Sequence, residues 1–318
     1  MKIKHLLCFI ALCLSFTPGK AQQLSVMTLR NGATVYIWED KSKPDVFGMI
    51  AFKVGSVDDP EQYTGLAHYL EHVMFKGTQT IDALDWEKEK PIYEKIIAKY
   101  DERAALSDPA AREAIDKEIN DLTREAAQYA AGNEFSLLVD HMGGQGLNAS
   151  TGYDQTEYHN SFPPSQLEKW LEIYSERLID PVFRGFQTEL EAVYEEYNMY
   201  NDDRGSRMRE FIYEQAFGDH PYARPIIGLP EHLKNPQLSK LIDFYNTWYG
   251  PQNMSIILVG NIDAKEAIPM IRDKFERVPR RAEIHREKKP VRQFKGRTEK
   301  SAKIFYYPML ALIYNGVP

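Results

Sequence analysis

The stretch GLAHYLEHVMFKGT, residues 65–78, constrains this chain more than any other part of it. Wound at 100° per residue, Leu66, Leu70 and Val73 fall in one narrow sector, and His68, Glu71 and His72 fall together on the opposite side. A helix from about Thr64 to Phe75 therefore carries an apolar stripe for a core and a polar face of its own. Two imidazoles four residues apart can converge on one ion, and zinc accepts such nitrogens. Glu71 stands beside them, near enough to take a proton from a water held by that ion. A merely solvated helix face would carry the same three residues, so a third ligand has to be found.

Composition narrows the search. The only two cysteines, Cys8 and Cys13, lie in an N-terminal segment with Lys2 and Lys4 at its start, the apolar run HLLCFIALCLSF, and Ala21 at its end. Residues 1–21 read as a secretory signal peptide cleaved near Ala21–Gln22, since the apolar run is too short for a membrane anchor. Leu12 rather than a small residue precedes Cys13, which argues against a lipoprotein site. The expected location is periplasmic or extracellular. The processed chain would hold no cysteine, which leaves only His, Asp and Glu as ligands. No later stretch is apolar enough for a stable membrane span. The 39 basic and 46 acidic residues give a net charge of −7. Loss of Lys2, Lys4 and Lys20 makes the chain more acidic still, a poor match for nucleic acid, whose phosphates demand a basic face.

Along the chain, runs of strands mix with runs of helices, which points to an α+β fold. Residues 24–40 read as a β-hairpin turning at Asn31-Gly32, and PDVFGMIAFKVGS as a further strand. Residues 85–131 are charged, Ala-rich and free of strand signals. Ile92, Ile96 and Ile97 make one stripe there, and Ile115, Ile119, Leu122, Ala126 and Tyr129 make another. Asp108-Pro109 between them supplies an N-cap and a first-turn proline, so a helical hairpin is expected, inserted over about 82–131. Two strands are expected within 146–162, helices over 165–180, 187–200, 203–217, 236–249 and 263–276, and a buried strand at NMSIILVGNI. Residues 281–303 are basic and broken by proline, as a linker would be. Residues 304–318 read as the apolar first strand of a second domain cut short.

The acidic segment ELEAVYEEYNMY offers the missing ligand. Leu190, Val193, Tyr194 and Tyr197 form its apolar stripe, while Glu189 and Glu196, seven residues apart, share a face. One of this pair could bind a metal while the other supports a ligand from behind; a solvent-facing charge is the alternative for each.

The order His-x-x-Glu-His is the inverzincin signature, and its neighbours narrow it. GLAHYLEHVMFKGT resembles the active-site helix of the M16 metallopeptidases, the pitrilysin, insulinase and mitochondrial processing peptidase family. GGQGLNASTGYDQTEYH, ELEAVYEE, FGDHPYARPIIG and YGPQNMSIILVGNID resemble that family's later landmarks in the same order, over about residues 24–280. The resemblance implies an antiparallel sheet covered by helices and a catalytic domain over 22–280. It implies one Zn²⁺ held by His68, His72 and Glu196, with Glu189 as the acidic neighbour and Glu71 as general base. It also implies an edge strand at Asn148–Thr151 onto which an extended peptide adds, with Asn148 and Ala149 gripping substrate. Two departures stand out. His72 and Glu196 lie 124 positions apart, further than is usual in the family, an excess the helical insertion accounts for. Family members also work as chambers of repeated domains, so a second M16-type domain, in the same longer chain or a partner chain, is the expected partner beside the peptide substrate. The runner-up reading is a non-catalytic subunit that binds peptide or a partner without cutting.

Overall fold

A computed structural model describes residues 24–286, 289–304 and 308–314; the signal-peptide expectation falls outside them. Strand β1 (Leu24–Thr28) turns back through Asn31-Gly32 into β2 (Thr34–Glu39). With β3 (Val46–Phe52), β4 (Gln145–Thr151), β5 (Thr156–Phe162) and β6 (Met254–Gly260) they form one sheet in the order β1-β2-β6-β3-β5-β4. Every neighbouring pair is antiparallel except β2 and β6, which run parallel. The sheet is therefore mixed, where the family resemblance implied an antiparallel one. No tight turn sets the direction of β6, which enters from a helix more than two hundred residues after β2.

Along β3, β5 and β6 buried and half-buried residues alternate, so one sheet face is sealed. Val35, Ile37, Ile50, Phe52, Tyr158, Ile256 and Leu258 point into that face. Helices α1 (Leu66–Val73), α4 (Glu134–His141), α5 (Leu167–Glu176), α9 (Leu238–Trp248) and α10 (Ala264–Phe275) bury their apolar residues in the same core. Gly48 on β3 is needed for this packing: a Cβ there would lie 2.5 Å from the ring of Trp170 on α5. The indole and the Tyr174 hydroxyl both donate to Asn160 Oδ1, at 2.8 and 2.7 Å, so this polar group of β5 is satisfied inside the core.

The expected helical hairpin is present as α2 (Trp86–Ala105) and α3 (Pro109–Ala126). Asp85 accepts the Lys88 amide at 3.2 Å and Asp108 the Ala111 amide at 3.0 Å, capping the two helices. Ile92, Ile96, Ile115 and Ile119 are buried. The two ends of the segment meet, with Ala83 bridging Ala130 and the Leu84 amide donating to Tyr129 O at 2.8 Å. Beyond it lie α6 (Phe186–Asp202), α7 (Arg204–Phe217) and the short α8 (Pro230–Leu233). In the apolar C-terminal stretch, the described residues form no strand, and Met309, Leu310, Leu312 and Tyr314 are exposed. A strand needs a neighbour to complete its ladder.

Candidate metal centre

Both ends of α1 are fixed. Gly65 enters it at φ +89°, with a Cβ excluded by Ile227 O at 2.5 Å. The buried Asp59 carboxylate accepts the Gly65 and Ala67 amides at 2.7 and 2.9 Å, occupying donors that a helix start leaves free. Past the other end, the buried Arg177 guanidinium donates to Met74 O at 3.1 Å and sits 4.4–4.8 Å from the rings of Phe75, Phe135 and Tyr158.

The polar face of α1 is largely shielded from water, with His72 half-buried. His68 and Glu71 are each only 9% exposed, because α6 and β4 lie over them. His68 Nε2 and His72 Nε2 lie 3.6 and 3.5 Å from the same Glu196 oxygen. One donor atom from each of the three residues falls within 4.8 Å of the others. The two imidazole–carboxylate distances are too long for good hydrogen bonds. They are close to the edge, about 3.4 Å, of a tetrahedron whose corners lie about 2.1 Å from its centre, as zinc ligands do. Two imidazole nitrogens and one carboxylate oxygen are also a donor set that zinc takes in catalytic sites. The residues fit the ion.

Glu189 lies on the other side of His72, with Oε2 3.4 Å from Nδ1, and its second oxygen pairs with Lys76. Two turns of α6 separate Glu189 from Glu196 and put both carboxylates against α1. Tyr200, one turn further along, helps to lower the Glu196 carboxyl. The Glu71 carboxylate accepts a 2.6 Å hydrogen bond from the Thr151 hydroxyl, at the end of β4. Thr151 is the residue the sequence reading missed. The strand period puts Ala149 and Thr151 on one face, both half-buried while Asn148 and Ser150 are exposed, but it does not say that this face meets α1. Asn148 and Ala149 are not brought into the histidine–glutamate group. They lie on β4, an edge strand paired only with β5 among the described residues, and Asn148 Oδ1 accepts the Ala149 amide at 2.9 Å.

The charges follow the packing. Burial, joined by the charge of His72, pushes His68 down to about 4. Burial also works against a proton on His72, but the carboxylates of Glu189, Glu196 and Glu71 outweigh it and lift that imidazole to about 9. Burial raises Glu71, opposed by the Thr151 hydrogen bond and the His72 charge. Glu196 is lowered chiefly by its contact with His72. Glu189 is lowered although burial opposes it, because His72 and Lys76 face it.

The sequence profile described as Insulinase (Peptidase family M16) matches residues 34–90 and 122–229, more than half of the chain. The chain belongs to this family. A second M16 profile, described as the Peptidase M16 inactive domain, matches residues 237–315. Among M16 relatives, the zinc protease PqqE of Helicobacter pylori is 24% identical over 254 residues, covering 79% of this chain and 46% of that protein. The first half of the periplasmic protease PqqL from Escherichia coli superposes with a TM-score of 0.64 at 24% identity, covering 86% of this chain and 50% of that one. Pitrilysin superposes at 0.63 and 22% identity, covering 86% and 25%. The chain thus spans a quarter to a half of the length of the relatives it matches. No helix among the described residues is long and apolar enough to cross a membrane.

Proposed function

We propose that this chain is the metal-bearing part of a zinc-dependent metalloendopeptidase that hydrolyses peptides or small unfolded proteins. The observation that carries this reading is the approach of His68 Nε2 and His72 Nε2 to one Glu196 oxygen, with the buried Glu71 on the same helix as the histidines. His68, His72 and Glu196 would hold Zn²⁺, which when bound lowers the pKa of its water and polarises the scissile carbonyl. Glu71 takes the proton from the attacking water and passes it to the leaving amine. Its burial favours holding that proton between the two transfers. Thr151 engages one Glu71 oxygen and so aims the carboxylate. Glu189 holds His72 through Nδ1 and keeps Nε2 directed at the ligand cluster. An extended peptide would add to the free edge of β4, passing Asn148 and Ala149 on its way to Glu71.

The full enzyme would place a second M16-type domain across this site, as the length of the relatives and the inactive-domain match support. Export to the periplasm fits the character of residues 1–21 and the periplasmic relative. The test is zinc content together with peptide hydrolysis. The expected result is about one zinc per chain, cleavage abolished by a chelator, and Glu71→Gln that keeps its zinc while losing about 10²–10⁴ in rate. Zinc binding with no cleavage, even after the remaining domains are supplied, would favour the non-catalytic subunit.

A further inference from the structure

The family profile skips residues 91–121, most of the α2–α3 hairpin. Those residues nevertheless grip the segment that launches α6. Tyr100 of α2 is 2% exposed, its ring lies 4.8 Å from that of Phe186, and its hydroxyl donates to Gln187 Oε1 at 3.2 Å. The Tyr93 hydroxyl accepts the Phe183 amide at 3.3 Å. At the root of the hairpin, Glu89 takes both Nε and Nη2 of Arg184, at 2.6 and 2.8 Å, while Arg184 Nη1 donates to Lys76 O at 3.2 Å. From the opposite side α1 supplies Tyr69, whose ring also lies 4.8 Å from Phe186 and whose hydroxyl donates to Phe186 O. Phe186, the first residue of α6, is held between the histidine-bearing helix and the insertion.

The far end of α6 is held more loosely, by Tyr194 and Tyr197, which pack against the core only partly buried. Its buried residues are Phe186, Leu190 and Val193, and Met199 is 72% exposed. Glu196 lies beyond the last buried residue, about 15 Å along the helix from Phe186. A tilt of 5° at the root would carry it about 1.3 Å, against a tolerance of about 0.2 Å for a metal ligand.

We infer that the inserted hairpin is a positioning device for the acid helix: by clamping Phe186 and Gln187, Tyr100 sets where Glu196 meets His68 and His72. The inference rests on the zinc reading only for what Glu196 does once placed. Tyr100→Leu removes ring and hydroxyl, Tyr100→Phe the hydroxyl alone, and Lys117→Ala alters an exposed position of α3 as a control. Two measurements are made well below the melting temperature: zinc affinity by chelator competition, and amide hydrogen exchange across residues 186–202 in the metal-free protein. Tyr100→Leu is expected to weaken zinc by about tenfold or more and to speed exchange across 186–202. Tyr100→Phe should do both to a smaller degree, and Lys117→Ala neither. Should Tyr100→Leu fail to fold, Tyr100→Phe decides. Exchange across 186–202 as slow in the folded Tyr100 variants as in the parent overturns the inference. Zinc affinity indifferent to Glu196→Gln would instead sink the ligand assignment and leave the exchange result to judge the hairpin.

Discussion

Thr151 stands eighty residues from Glu71 in sequence and 2.6 Å from it in space. A hydrogen bond to an ionised group is worth about 1.5–3 kcal/mol, so losing it should be visible in turnover. Thr151→Val is expected to lower kcat about tenfold or more with KM and zinc content unchanged. Thr151→Ser, which keeps the hydroxyl, should restore most of the rate. Kinetics on the three proteins check this; equal kcat in Val and parent would remove Thr151 from the proton path. Glu189 is tested differently, because it acts on a proposed ligand rather than on the water. Glu189→Gln should weaken zinc by about 10–100-fold while Glu71 chemistry, once the site is loaded, stays near parental. The histidine pair and the Glu189/Glu196 pair were legible in the sequence because each shares a face of its own helix, though only the family resemblance pointed to Glu196 rather than Glu189. Thr151 was not, since nothing local to β4 announces that its end faces α1.

Asp59 shows how an element is held rather than how a residue reacts. It caps α1 through two amides, yet it is buried, and burial outweighs those donors and the nearby Arg224 to raise its carboxyl from 3.8 to about 7. A folded-state pKa above the unfolded one means the native protein binds the extra proton between these values. This group's stabilising share is therefore complete below about pH 4 and lost as the pH rises to about 7. The loss is on the order of a few kcal/mol. Asp59→Asn cannot titrate, so the difference in urea midpoint, parent minus variant, should shrink from pH 5 to pH 8. A constant difference would show that Asp59 is ionised in the fold throughout. The helices themselves were readable to within a few residues wherever stripe and cap agreed, as at Asp108-Pro109. The parallel pairing of β2 with β6 was not, because alternation reports which face is buried and says nothing about which distant strand lies alongside.

Across the whole molecule the proposed ligands staple together parts of the chain far apart in sequence: α1 follows β3, and α6 arrives only after the hairpin, β4, β5 and α5 have been laid down. An ion that binds only this arrangement adds RT ln(1 + [Zn]/Kd), about 4 kcal/mol at a thousandfold excess over Kd. For a chain of this size that corresponds to a rise in Tm on the order of 10 °C. Zinc should therefore raise Tm by about that amount and a chelator reverse it. Glu71→Gln should keep the shift, since the acid beside the water holds no metal, whereas Glu196→Gln should lose most of it. The contrast between two glutamates at one site separates metal binding from catalysis without needing a second domain or a substrate. A full shift in Glu196→Gln would mean that the third ligand is another group, with Glu189 the first to test, since its carboxylate already lies 3.4 Å from His72.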